Sequence, residues 1–266
     1  MSNAVSLRGA GHGAAREPVD EGETVSERFE TIILIGRPAA GKSEVIDFLK
    51  HAGEAERARR FRVGPLVEFD DFPFVWETFE IDDLLERLGE PRAFTTGDYF
   101  FKSERLWNLF IERINLEFRK ALARDPAFTA THTALVEFSR GGERGFAEAF
   151  AHLGDDILSR AGIVYINVSY EESVRKNRRR FDPSQADSIL YHSLPDEKME
   201  RYYRTNDWER LSGGRKAGRI RIRSFDVPFA VFDNEPERTD DPAKLGPALE
   251  AVFAALWNEM HAGAAR

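Results

Sequence analysis

Thr31-Ile32-Ile33-Leu34-Ile35-Gly36-Arg37-Pro38-Ala39-Ala40-Gly41-Lys42-Ser43 is the stretch that decides the fold. Its first five residues form a continuous β-branched and apolar run, the pattern of a strand buried on both faces. Gly36 to Ser43 then satisfies G-x-x-x-x-G-K-[ST] at every fixed position, and the residues from Glu44 to Lys50 predict a helix directly after it. Strand, glycine loop and helix in that order aim backbone N–H groups and the positive end of a helix dipole at one point, which suits an anion. Gly36, Arg37, Pro38, Ala39, Ala40, Gly41, Lys42, Ser43 and Glu44 are therefore expected to cradle the phosphates of a nucleoside triphosphate. Lys42 would bridge the β- and γ-phosphates, and the Ser43 hydroxyl would bind Mg²⁺. No N-K-x-D segment is present to read guanine, and no D-x-x-G closes a plausible strand, so the expected nucleotide is ATP.

Outward from this loop, short apolar runs predict four more strands. They are Leu66 to Phe69 ending at Asp70-Asp71, Ala134 to Phe138, Ile163 to Val168, and Phe229 to Phe232. Between them lie helical patterns. Leu106, Trp107, Phe110, Ile111, Ile114, Phe118 and Leu122 recur at spacings of three and four within a helix from about Ser103 to Ala123. Ser169 and Glu172 have capping-box spacing at the start of another helix. Leu245, Leu249, Val252, Phe253, Leu256 and Met260 face one side of a terminal one. Strands alternating with helices predict an α/β, three-layer fold: a mostly parallel sheet of about five strands with helices on both faces.

The 266 residues carry 42% hydrophobic and 32% charged side chains, enough for one large domain with a real core. There is no cysteine, which excludes a disulfide framework, a thiolate metal site and a cysteine nucleophile. No apolar run approaches bilayer length, so no membrane partner and a cytoplasmic location are expected. A net charge of -8 argues against nucleic acid as a general partner. The charge is uneven, since Lys and Arg outnumber Asp and Glu between Glu171 and Arg223, and a basic stretch in an acidic chain suggests a small polyanionic ligand. Residues 1-28, rich in Gly, Ala and charge, read as a disordered tail before a domain over 29-266.

At these residues the sequence resembles the P-loop kinases of small molecules, the nucleoside- and nucleotide-kinase-like P-loop NTPases. The resemblance spans about residues 30 to 262, and its specific part is the phosphate loop. Asp70-Asp71-Phe72-Pro73 is similar to the D-x-F-[YH] segment of uridine-kinase-like enzymes, which implies that Asp70 accepts the proton of the attacking hydroxyl. Pro73 departs from that pattern and leaves Asp71 open as the alternative. Val136-Glu137-Phe138-Ser139-Arg140 is similar in position to segments whose acid holds Mg²⁺ and whose arginine grips phosphate, which implies those roles for Glu137 and Arg140. Arg175, Arg178 and Arg179, on one face of a helix, resemble the arginines of a lid, and 175-224 would be that basic lid region, mobile to about Asp207. Val231 to Pro236 resembles a segment that packs on adenine, which implies Asn234 and Pro236 in the base site.

The resemblance implies ATP and Mg²⁺ as cofactors and a small-molecule acceptor bound by the aromatic-rich insertion 71-130, a nucleoside or nucleotide being the first expectation. A kinase of another hydroxylated metabolite, or a regulatory protein that binds and slowly hydrolyses ATP, is the alternative. Nothing in the sequence reports the oligomeric state.

Overall fold

A computed structural model describes residues 27–180 and 194–262, so most of the expected N-terminal tail lies outside the described residues. In chain order, the elements are β1 (Thr31–Gly36), α1 (Lys42–His51), α2 (Glu54–Phe61), β2 (Leu66–Asp70), α3 (Phe72–Arg87) and α4 (Leu106–Arg124). They continue with α5 (Phe128–Thr131), β3 (Thr133–Phe138), α6 (Gly145–His152), α7 (Asp155–Leu158), β4 (Ala161–Asn167) and α8 (Tyr170–Arg180). The last are α9 (Asp196–Tyr203), α10 (Trp208–Ser212), β5 (Ala217–Ile222), β6 (Phe225–Asp233) and α11 (Pro242–His261).

The strands form one sheet in the order β2-β3-β1-β4-β6-β5, all parallel except β5, which runs antiparallel to β6 at the edge. Alternation along β1 divides the core in two. Ile33 and Ile35 point into a cluster with Phe118 of α4, Phe146 and Phe150 of α6, and Trp208 of α10. Ile32 and Leu34 point the other way, onto Val45 and Leu49 of α1, Phe61 of α2, and Leu249 and Phe253 of α11. Each residue of β1 is buried, which explains why its sequence is apolar without a period of two.

The order also locates the site. From β1 the chain moves to β3 and β2 on one side and to β4 and β6 on the other, so the carboxyl end of β1 lies where the winding reverses. In open α/β sheets that crevice is where ligands bind.

Two features differ from the sequence expectation. The sheet has a sixth strand, β5, inside the stretch 175-224 assigned to a lid. There Ile220 and Ile222 are buried while Arg221 is exposed, and Arg219 pairs with Asp226 of β6 at 2.8 Å. Other residues of that stretch, of which 181-193 lies outside the described residues, also pack onto the main body. Met199 of α9 is fully buried, and both oxygens of the buried Asp207 carboxylate accept from the Phe146 and Ala147 N–H groups at the start of α6. The insertion 71-130 likewise contributes to the main body, because α4 places Ile111, Ile114 and Phe118 in the core and connects β2 to β3. Only Val75, Phe101 and Phe110, with Phe74, Phe79, Leu106 and Trp107 against them, form a small core of their own.

Candidate active site

Gly41 adopts φ 114° immediately before α1, a left-handed conformation that glycine reaches without steric cost. A Cβ at that position would also lie 2.6 Å from Asn234 Nδ2 and 2.8 Å from Thr239 Cγ2. No side chain caps α1. Its first N–H groups, which lack partners within a helix, therefore open onto the carboxyl end of β1 beside the exposed Ser43.

The loop is braced from three sides. Asn234, fully buried, donates to the Ala40 carbonyl at 2.8 Å and to Thr239 Oγ1 at 3.0 Å, while its own oxygen accepts from the Arg238 N–H at 2.7 Å. Ser173 Oγ of α8 donates to the Pro38 carbonyl at 2.7 Å. Arg37 reaches away from the loop to the carbonyls of Tyr203 and Arg204, tying the end of α9 to the loop. The Asn234 side chain thus braces the glycine loop, and Pro236 sits exposed after a cis bond from Glu235. Replacing Asn234 with Ala orphans the Ala40 carbonyl and the Arg238 N–H. The expected loss is about 1–3 kcal/mol of stability, read as a lower urea midpoint at unchanged m-value. An unchanged midpoint contradicts the bracing.

Lys42 is 7% exposed. Its ammonium donates to Ser139 Oγ at 2.7 Å and to the Arg37 carbonyl at 3.4 Å, and lies 3.8 Å from Glu137. Asp70, the last residue of β2, and Glu137, the last but one of β3, are directly paired in the two parallel strands, so two carboxylates arrive side by side. Asp71 comes next and is buried. Its carboxylate accepts from Arg140 Nη1 at 2.5 Å, and Arg140 also donates to the carbonyls of Ser139 and Trp107 at 2.7 and 2.9 Å. Asp70 has a different position: its Oδ1 accepts from the Phe72 N–H at 3.0 Å, and no basic side chain forms an ion pair with it among the described residues.

Crowding acids in a poorly solvated place raises their proton affinity. Burial first, then Glu137 and Asp71, push Asp70 up to about 8. Burial likewise raises Asp71 and Glu137, against the opposing pull of Arg140 and Lys42 respectively. A carboxyl raised in the folded state binds its proton there at pH values where the unfolded chain has released it, so stability falls as pH rises from about 4 to about 8. The Asp70→Asn protein is expected to lose part of that slope. Its melting temperature relative to the parent should be more favourable at pH 8 than at pH 5; equal differences at both would show that Asp70 does not carry this strain.

Each of the expected lid arginines pairs with an acid. Arg175 pairs with Glu172 at 2.6 Å and Glu237 at 3.3 Å, Arg178 with Asp196 at 2.6 Å, and Arg179 with Glu237 at 2.8 Å. The predicted helix start is in place, since the Glu172 N–H donates to Ser169 Oγ at 3.1 Å. Glu237, together with Lys176 at 3.2 Å, gathers the inner face of α8 against the loop before α11. Arg180 instead grips both oxygens of Glu44 at 2.9 and 3.0 Å, so Glu44 meets a guanidinium before it could meet a ligand.

On the other side of Ser43, an open groove of about 1260 Å³ runs between α1 and α11, lined by Glu44, Phe48, Arg179, Arg180, Thr239 and Pro242 among others. It is larger than common small-ligand sites, and it does not include Lys42, Asp70 or Glu137. In the aromatic insertion, Trp107 packs 4.8 Å from Phe101 and, across to α9, 5.5 Å from Tyr202, and Arg140 lies 5.2 Å from its ring centre.

Sequence reading did not anticipate Ser139 as the partner of Lys42, the locking of Asp71 to Arg140, or Tyr203, buried beside both. Ser139 lay within a segment already singled out. Tyr203 had no signal, because its place is set by a distant turn of chain.

No family model matches the chain, and no curated protein matches it. Among solved structures it is similar to TT1252 from Thermus thermophilus, at 16% identity with a TM-score of 0.42, covering 86% of this chain and 98% of that one. It is also similar to a sugar kinase from Janibacter sp. HTCC2649, at 9% identity with a TM-score of 0.39, covering 85% of this chain and 94% of that one. Among the described residues, no helix is long and apolar enough to cross a membrane.

Proposed function

We propose that this protein is an ATP-dependent phosphotransferase, moving the γ-phosphoryl group of Mg²⁺-ATP to a small-molecule acceptor. One observation carries the reading. A buried lysine at the uncapped start of α1 stands between the glycine loop and two carboxylates near the ends of β2 and β3, one of which, Asp70, forms no ion pair among the described residues.

The residues suit the cofactor. Backbone N–H groups at Gly41 to Glu44 and the Lys42 ammonium would hold the phosphates, and the groove between α1 and α11 would take the nucleoside beside Arg179 and Arg180. Mg²⁺ commonly keeps several waters and takes one or two protein oxygens. That agrees with Ser43 and Glu137 as its holders and with the lack, among the described residues, of any group of three or more metal-ligating side chains. When bound, the ion would neutralise phosphate charge and the excess of carboxylates.

Phosphoryl transfer asks mainly for positioning and charge stabilisation. Lys42 supplies a fixed positive charge held by Ser139. Burial and its acidic neighbours push Asp70 up to about 8; a cation held beside it would lower its proton affinity, and Asp70 would then accept the acceptor's proton. Arg140 acts at one remove, holding Asp71 and the Trp107 carbonyl, so the strand end carrying Asp70 is kept in place. Arg175 and Arg178 belong to ion pairs on α8 and are assigned no contact with the reacting groups.

A panel of nucleosides, nucleotides, sugars and amino alcohols, incubated with Mg²⁺-ATP and read by mass spectrometry, tests the reading. Phosphorylation of at least one class above an enzyme-free control is expected. Tight ATP binding with background transfer to all of them would favour an ATP-sensing protein.

A further inference from the structure

Six large hydrophobic side chains are exposed among the described residues, and all six fall between Ile81 and Leu116. Five of them belong to two helices. On α3, which buries Val75, Thr78 and Asp82, the outward residues Ile81, Leu84 and the C-cap Leu88 recur at spacings of three and four and so form one row. Leu88 is 79% exposed. On α4, which buries Phe110, Ile111, Ile114 and Phe118, Leu109 and Leu116 stand two turns apart on the outer side. The two helices meet where the Arg113 guanidinium lies over the Phe74 ring at 4.8 Å. Exposed apolar surface concentrated in this way, rimmed by charge, marks a contact with another protein.

The charges beside the two rows have opposite sign. Helix α3 carries Glu77, Glu80, Asp82, Asp83 and Glu86 against Arg87. Asp82 is buried, Asp83 and Glu86 are taken by Arg92, and Glu80 accepts from Trp76 Nε1. Exposed Glu77 and Glu80 form no ion pair among the described residues. Helix α4 carries Arg113, Arg119, Lys120 and Arg124 against Glu112 and Glu117. Glu112 pairs with His152, and Glu117 is shared by Arg113 at 3.0 Å and Lys120 at 2.9 Å. Exposed Arg119 and Arg124 form no ion pair among the described residues.

Packing α3 on α3 of a second copy would oppose acid to acid. Packing α3 on α4 instead opposes acid to base and one apolar row to the other, and a two-fold axis makes that contact twice. We infer that this protein forms a two-fold dimer in which α3 of each copy packs on α4 of the other. The inference goes beyond the phosphotransferase reading and does not depend on it.

Sedimentation equilibrium of the full chain at micromolar concentration is expected to give twice the 30.3 kDa chain mass. Two charge-reversed proteins test the pairing: Glu77→Lys with Glu80→Lys on α3, and Arg119→Glu with Arg124→Glu on α4. Each alone sets like charges against each other and should weaken the dimer by at least about tenfold, while a cooperative thermal melt shows that it is folded. Mixed in equal amounts, the two should regain the dimer, because each reversed helix then meets its opposite sign. A parent chain that stays at 30.3 kDa overturns the inference. So does a parent dimer that either reversal leaves intact, or a mixture of the two variants that stays monomeric.

Discussion

Asp70→Asn lowers phosphoryl transfer by about 10²–10⁴-fold, the range of a positioned general base, while the dissociation constant for Mg²⁺-ATP stays within about threefold. The split follows from the geometry. Asn keeps an oxygen that can accept from the Phe72 N–H, so the turn into α3 is preserved. The phosphate cradle at Gly41 and Lys42 is built from other elements, and relief of the crowded acids should make the variant at least as stable at pH 8. What disappears is the carboxylate that takes the acceptor's proton. Asp71→Asn is the contrasting control. It strands the buried Arg140 without its anion, so it should unfold more easily. Steady-state transfer with separate measurement of ATP affinity checks both. Transfer within tenfold of the parent for Asp70→Asn would show that another group is the base.

Lys42→Ala is expected to cost more at the nucleotide than at the fold. Removing one fixed charge-stabilising donor from such a site typically lowers turnover by about 10²–10³-fold, and here the same ammonium also faces the phosphates in the ground state, so ATP affinity falls as well. The fold changes less, because Ser139 Oγ loses only a donor that water can replace, although Glu137 loses a cation at 3.8 Å. Lys42→Met, which retains most of the volume, separates charge from packing. Both variants should lose transfer alike, with the Met protein melting closer to the parent. Calorimetric ATP binding and thermal melts read the difference, and near-normal ATP affinity in both would contradict the assignment of Lys42.

The parts legible in the sequence are those whose physics is local. The glycine loop was readable because a tight turn, an open helix start and a lysine must be adjacent in the chain. Asp70 and Glu137 were readable because each ends a short apolar strand, and the structure pairs those strand ends directly. The sixth strand was present as the alternation Arg219-Ile220-Arg221-Ile222, but its arginines read as part of a basic patch. The partner of Arg219, Asp226, lies across a turn. The arginines of α8 were assigned to phosphate because nothing near them in sequence announces Glu237, some sixty residues on, which collects two of them and Lys176. The bracing role of the Asn234 side chain was hidden for the same reason: its contacts with Ala40 and Thr239 exist only after the chain has folded back on the loop.

³¹P NMR of the full chain with Mg²⁺-ATP and a small-molecule extract reads directly where the γ-phosphoryl group goes. Loss of the γ-phosphate signal should be matched by a growing phosphomonoester signal that requires the extract and is nearly abolished by Asp70→Asn. If the signal is lost only as inorganic phosphate, at one rate with or without the extract, the protein is not a phosphotransferase.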